Sequence, residues 1–302
     1  MVPPNSFSFD DETATSNSFQ TKSTTTGKST TKSAMEEFYS FTLKLQNNGL
    51  DVIYLQHPSK KILPNAVFPN NWFATYGSGD IVIFPLRNES RKKEKSIDHL
   101  VTELKQKNFL VRKTIDLSYL EESGLALEGT GSLVLDREKN IAFAVRSERT
   151  SQSAFNTYCD LMGIQSSNRI IFRAIDRNEN PIYHTNVMMS IGNEFVIICK
   201  ESIDIADRDS VLCKLEESKK ELIYINYDQL ENFCGNCLNV ATNKGNSSIV
   251  MSTRAYNSFT SAQKRKLEKY GTLIHSEINC IENVGGGSAR CMIAEIFLPK
   301  SN

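Results

Sequence analysis

The stretch Gly285-Gly-Gly-Ser-Ala-Arg-Cys-Met292 is a glycine-rich corner that follows a β-prone segment, Thr272 to Ile278, and feeds an apolar run. The same order occurs four more times, at Phe68-Pro-Asn-Asn-Trp-Phe73, Leu127-Glu-Gly-Thr-Gly-Ser-Leu133, His184-Thr-Asn-Val-Met-Met189 and Gly235-Asn-Cys-Leu-Asn-Val240. Corner starts lie 50 to 60 residues apart, and the β-prone segments before the first four are Asp51 to Leu55, Phe109 to Ile115, Ile170 to Ile175 and Glu221 to Ile225. Between the units, Ser96 to Lys107, Ser151 to Met162, Asp209 to Lys219 and Ser261 to Lys269 place apolar residues at three- and four-residue steps. They read as helices, with Asp209 and Ser261 at N-cap positions. A ring of five strand–helix units is the simplest way to close such a repeat without open sheet edges. It gathers the five corners around one axial pocket.

The corners carry reactive groups that a purely structural repeat would not need. They hold Asn70 and Asn71, Glu128, His184 and Asn186, Asn236, and Cys291. A thiol, an imidazole and a carboxylate on facing corners are the parts of thiolate catalysis. The glycine run before Cys291 allows the chain to present that thiol close to a ligand. Taken singly, each residue has a plainer reading: a buried thiol, a core histidine, a turn-capping glutamate. Their joint occurrence at equivalent points of the repeat favours catalysis.

Bulk properties narrow the ligand. The chain has 302 residues, 39% of them apolar, and 35 Lys+Arg balance 35 Asp+Glu. No global positive field exists to collect nucleic acid or an anionic membrane, and a small neutral or zwitterionic molecule fits better. Apolar runs such as Phe195 to Cys199 are far shorter than the roughly 20 residues a membrane span needs. The N-terminal Met-Val-Pro-Pro-Asn-Ser-Phe lacks the pattern of a secretory signal, and seven cysteines in mostly apolar settings read as free thiols, so a cytoplasmic location is expected. Cys234-Gly-Asn-Cys237 has no second Cys or His pair at matching spacing, so no metal and no cofactor is expected. His57, His99 and His275 fall outside the corners and receive no role. Residues 21 to 33, rich in Ser, Thr and Lys, read as a flexible loop ahead of an amphipathic helix from Ala34 to Asn48.

Leu127-Glu-Gly-Thr-Gly-Ser, His184-Thr-Asn and Gly285-Gly-Gly-Ser-Ala-Arg-Cys resemble the signatures of the guanidine-modifying (pentein) superfamily, the arginine deiminases, dimethylargininases and amidinotransferases. The subfamily most similar is that of the citrulline-utilisation hydrolases, and the likeness runs from Phe7 to Pro299. The resemblance implies an α/β fold, a five-bladed α/β propeller with a pseudo-fivefold repeat, as a single amidinotransferase-like domain over residues 1–302. It implies Cys291 as covalent nucleophile, His184 as proton carrier and Glu128 as a contact to ligand and imidazole. Ser147-Glu148-Arg149-Thr150 is similar to an element whose arginine grips the substrate carboxylate, which makes Arg149 the expected anchor. Arg91 is a weaker second choice, because the charge run Arg91-Lys92-Lys93-Glu94-Lys95 reads as a solvated face.

One departure bears on substrate. The deiminases carry aspartates where this chain has Asn71 and Asn186. Buried aspartates suit a cationic guanidinium, whereas carboxamides offer a donor and an acceptor to a neutral ureido group. The expected substrate is therefore a citrulline-like ureido amino acid, with a guanidino amino acid second. In the expected mechanism a Cys291 thiolate, favoured by nearby positive charge, attacks the ureido or amidine carbon. Arginine deiminase or amidinotransferase chemistry is the alternative within enzymes, and a non-catalytic pentein binding protein the alternative outside them. A homo-oligomer stays open.

Overall fold

The computed structural model describes residues 1–22, 27–58 and 61–301. The N-terminal part holds α1 (Asp11–Ala14) and α2 (Gly27–Asn47). Short apolar strands then pair in threes, since none is long enough to bury a face alone. The first sheet is β1 (Phe73–Thr75), β2 (Asp80–Ile83) and β3 (Lys113–Asp116), with α3 (Glu89–Lys92) and α4 (Ile97–Gln106) between β2 and β3. The second follows α5 (Gly129–Ser132): β4 (Leu133–Asp136), β5 (Ile141–Val145), then α6 (Gln152–Leu161) and β6 (Arg169–Phe172). The third follows α7 (Thr185–Met188): β7 (Met189–Ile191), β8 (Phe195–Ile198), then α8 (Ile205–Glu217) and β9 (Glu221–Tyr224). The fourth follows α9 (Tyr227–Glu231): β10 (Leu238–Ala241), β11 (Ser247–Ser252), then α10 (Thr253–Ser258), α11 (Ser261–Glu268) and β12 (Thr272–Ser276). α12 (Asn279–Gly285) leads into the last corner.

In every sheet the first pair is antiparallel and the second parallel, as in Phe73↔Ile83 followed by Ile83↔Asp116. A parallel neighbour needs a crossover, and the expected helical windows supply it each time. Middle strands are covered on both faces, which is why Ile141–Val145 and Phe195–Ile198 are apolar without alternation. The β-prone segment before a corner pairs with the strands that follow the previous corner, so the unit in space runs from one corner to the next.

The fifth unit differs from expectation. Asp51 to Leu55 is extended yet belongs to no sheet. Its main chain meets Met1 instead, with Met1 N–H donating to Ile53 O at 2.8 Å and Leu55 N–H to Met1 O at 2.9 Å. Pro3 and Pro4 follow, and proline has no N–H with which to extend a ladder. The C-terminal run is likewise tied by a side chain, Thr75 Oγ1, which donates to Glu295 O at 2.9 Å and accepts from Phe297 N–H at 2.8 Å.

Three local expectations are corrected. The α2 helix begins at Gly27 rather than Ala34, so the flexible loop expected over 21 to 33 does not extend beyond residue 26, and residues 23–26 lie outside the described part. The added turns bury Thr30 in register with Ala34, Phe38, Phe41 and Leu45. Asp204 rather than Asp209 caps α8, its carboxylate accepting from Ala206 N–H. Thr260 rather than Ser261 caps α11, with Gln263 reaching back in a capping box.

Candidate active site

Glu128 and His184 hold the same place in successive units, each immediately before a four-residue helix that leads into an inner strand. The two helices pack together, and His184 Nε2 lies 2.9 Å from Glu128 Oε2, both residues fully buried. Glu128 also accepts from Arg87 N–H at 3.1 Å and faces Arg149 Nη1 at 3.6 Å. Burial alone would raise its pKa, but the charge of Arg149 and the His184 hydrogen bond outweigh it and hold the carboxyl at about 2. Burial lowers the imidazole, the Glu128 contact only partly restores it, and it sits at about 4. At neutral pH the pair is thus carboxylate plus neutral imidazole. A carboxylate only accepts, so the ring proton is assigned to Nε2, which leaves the Nδ1 lone pair free to take a proton.

The same pocket carries the thiol. Cys291 is buried, and Asn186 Nδ2 and Asn236 Nδ2 lie 3.5 and 3.3 Å from its Sγ. Asn236 is oriented by its own neighbours: Oδ1 accepts from Arg290 N–H at 3.1 Å, and Nδ2 donates to Asn186 O at 2.9 Å. Carboxamides, rather than the positive charge expected beside the thiol, make the side-chain hydrogen bonds to Sγ among the described residues. The loop is set by Gly286 at φ +65°, where a Cβ would stand 2.5 Å from Asn17 Nδ2.

The first corner supplies Asn71. Its Oδ1 accepts from Arg91 Nη1 at 2.8 Å, and since a guanidinium can only donate, the amide orientation is fixed. Asn71 Nδ2 is left buried without an acceptor. A Cβ on Gly131 would lie 2.5 Å from that Nδ2 and 2.7 Å from His184 Nδ1, so the two groups flank the space that this glycine leaves open. Asn70 is placed differently: its Nδ2 donates to Thr130 Oγ1 at 3.3 Å, and it holds the first corner against the second.

Arg91 is not on a solvated face. Its Nε and Nη2 donate to the two oxygens of Glu94, each at 2.9 Å, and both residues are buried. Position along the sequence could not show that α3 folds inward here. Arg149 is buried too, its guanidinium over the Tyr183 ring at 5.1 Å and hydrogen-bonded to Thr13 O and Ser16 Oγ at 2.8 and 2.9 Å.

Those last partners belong to a segment that sequence reasoning missed as part of the site. Residues around α1 lie across the pocket: Asn17 Nδ2 donates to Gly286 O at 3.3 Å and Gln20 Nε2 to Gly285 O at 3.1 Å. Glu12 fastens the segment by accepting from Glu89 and Ser90 N–H at 2.7 and 2.8 Å, which caps α3 from outside. The cavity beneath it, lined by Asn71, Arg91, Arg149, His184 and Cys291 among others, has a volume of about 10 Å³. That is room for roughly one water molecule. Tyr183 is a further missed residue, its hydroxyl donating to Gly286 O. Asn17, Gln20 and Tyr183 match no recurrent corner, so only their contacts reveal them.

A buried thiol, a carboxylate-held imidazole and two guanidiniums line one pocket, the groups expected of a cysteine hydrolase of the guanidine-modifying superfamily. Over residues 3–298 the chain matches, and belongs to, the family described as N,N dimethylarginine dimethylhydrolase, eukaryotic. Its members hydrolyse guanidino C–N bonds. No curated protein sequence matches it. Among solved structures it is similar to the N-terminal domain of ArgZ, an arginine dihydrolase from the ornithine–ammonia cycle in cyanobacteria, bound to substrate. The TM-score is 0.74 at 17% identity, over 99% of this chain and 98% of that one. A mutant of AgrE with L-arginine gives 0.72 at 17%, over 98% and 40%. A dimethylarginine dimethylaminohydrolase adduct with 4-chloro-2-hydroxymethylpyridine gives 0.62 at 15%, over 87% and 90%. The mixed α/β fold is shared with all three.

Proposed function

We propose that the chain is one domain, closed as a five-bladed propeller by the extended fifth unit, and that it hydrolyses the terminal C–N bonds of an arginine-like amino acid through a covalent Cys291 intermediate. The ureido stage, a citrulline-like species, is the form that the pocket recognises. The observation that carries this reading is the buried, unpaired Nδ2 of Asn71. A guanidinium presents only donors, whereas a ureido group presents a carbonyl oxygen that such an N–H can meet. Arginine as the first substrate has its own support: the Glu128 carboxylate is ionised, and arginine is the ligand in the AgrE structure.

In the proposed mechanism the segment around α1 opens, and the substrate carboxylate takes the Arg149 donors that Thr13 and Ser16 occupy. His184 Nδ1 accepts the thiol proton, and Sγ attacks the guanidino or ureido carbon. The tetrahedral adduct collapses as the imidazolium protonates the departing nitrogen, leaving an S–C bond. Water then gives a proton to His184 and adds to that carbon, and the S–C bond breaks to restore the thiol, releasing the ureido product from a guanidino substrate, or from the ureido stage a carbamate that loses CO2 to give ornithine. Glu128 holds Nε2 throughout and offsets the imidazolium charge. Seven free thiols suit a reducing compartment, the cytoplasm.

The test is incubation with citrulline, arginine and dimethylarginine, with ornithine, citrulline and ammonia measured. Ornithine from both citrulline and arginine is the expected result. Turnover of dimethylarginine alone would overturn the ureido assignment, and no turnover of any would overturn hydrolysis.

A further inference from the structure

A second and larger cavity, of about 1230 Å³, is lined by the inner strands that leave the same corners, through Leu133, Met189, Leu238 and Ile293 among others. Arg290 lines it while the adjacent Cys291 lines the small pocket. Arg290 is only 8% exposed. One of its guanidinium donors, on Nη1, reaches Ile293 O at a long 3.4 Å. The other four of the five N–H groups have no protein acceptor among the described residues, and Glu295 acts on it only from beyond ion-pair distance. Ser190, on β7, lines the same cavity with a buried hydroxyl that also lacks a partner. A buried hydroxyl without a partner and a guanidinium whose free donors open on the same cavity, from two separate elements, point to a ligand.

We propose that this cavity binds a small monocarboxylate with an apolar body, its carboxylate on Arg290 and Ser190 and its body against the inner-strand side chains. A guanidinium presents two parallel donors to a carboxylate. Acidic and basic side chains along the cavity are equal in number, with Lys220 held by Asp136 and Glu138, so the wall carries no net positive charge that would favour phosphate over a monoanion. The apolar wall of Leu133, Met189, Leu238 and Ile293 suits a hydrocarbon chain or ring. Occupancy is coupled to the thiol by a short route: the Arg290 N–H holds Asn236 Oδ1 at 3.1 Å, and Asn236 Nδ2 lies 3.3 Å from Cys291 Sγ. The site stands independently of the substrate assigned above.

Calorimetric titration of the intact protein with hexanoate tests it, beside inorganic phosphate and hexylamine. The forms compared are the wild type, the wild type alkylated at Cys291, Arg149→Lys, Arg290→Met and Ser190→Ala. Hexanoate is expected to bind the first three equally and Ser190→Ala several-fold more weakly. Loss in Arg290→Met is about tenfold or more, with phosphate and hexylamine binding about tenfold more weakly than hexanoate to the wild type. Saturating hexanoate is expected to change the rate of Cys291 alkylation about twofold or more. Loss of binding on alkylation or in Arg149→Lys would place the carboxylate in the substrate pocket and overturn the proposal. Undiminished binding to both Arg290→Met and Ser190→Ala, phosphate binding as tightly as hexanoate, or no saturable binding would also overturn it. An unchanged alkylation rate would overturn the coupling.

Discussion

Two cavities, built from successive residues of the same segments, differ a hundredfold in size: about 10 Å³ around Cys291 and about 1230 Å³ around Arg290. The small one is walled by corner residues and closed by the segment around α1, and Asn71 Nδ2 and Asn65 Oδ1 are its buried side-chain atoms without a partner among the described residues. The large one is walled by inner-strand side chains and keeps donors without partners. The difference teaches how one repeat serves two purposes. A corner residue faces its counterparts at close range, so most polar groups there pair, and Asn71 Nδ2 stands out by lacking an acceptor. Strands diverge beyond the corner, and side chains no longer reach across.

The comparison breaks most sharply at the thiol. Cys291→Ser should leave the fold unchanged and lower turnover by a factor of about a thousand or more, read by steady-state ammonia release. A variant that kept most of its rate would move the chemistry away from the small pocket. Gly131→Ala comes next: the new methyl would stand 2.5 Å from Asn71 Nδ2 and 2.7 Å from His184 Nδ1, so one must move. Turnover should fall about a hundredfold with little change in Tm, because a base displaced by an ångström loses its alignment. An equivalent rate would show that His184 Nδ1 is not the proton acceptor.

Acid should act through the small pocket as well. The folded-state pKa values of His184 and Glu128 are lowered, to about 4 and about 2. Between about 6.5 and 4 the unfolded state binds the histidine proton and the folded state does not, so this stabilising contribution is complete above the unfolded value and shrinks as pH falls. Glu128 adds the same sign of effect from its unfolded value, about 4.3, down towards 2. Glu37, Glu94 and Glu282, whose carboxyls burial pushes up, act with the opposite sign, so the readout is the difference between two thermal melts from pH 7 to 4: His184→Gln should remove a downward contribution to Tm between about 6.5 and 4. A pH dependence that this substitution left unchanged would contradict the neutral buried imidazole.

The smallest expected effect concerns the cover. Glu12→Gln keeps the shape of the side chain but removes the charge that caps α3, weakening closure by about 0.5–1 kcal/mol. Alkylation of Cys291 by iodoacetamide should then be about two- to fivefold faster. An unchanged rate would mean that the thiol is reached by another path.

Much of the fold was legible because corner spacing and helical periodicity are local properties. All four helical windows and the strands leading from the second, third and fourth corners fall where the pattern puts them. The fifth unit was not legible: Asp51 to Leu55 has the composition of a strand, but its neighbours include two prolines and a terminal methionine far away in sequence. In the site, Cys291, His184, Glu128 and Asn71 were named from their corners. Arg91 was mistaken for a solvated charge because its pairing with Glu94 depends on α3 turning inward.

The sequence by itself determined the repeat, the helices and the reactive residue types, since each follows from spacing and side-chain chemistry within a few dozen residues. Only the tertiary structure decided which Asn71 nitrogen stays unpaired, that Thr13 and Ser16 occupy the Arg149 guanidinium, and that Arg290 faces away from Cys291 into a second cavity. Those are properties of groups brought together over long loops, where distance and the exclusion of water set the energetics.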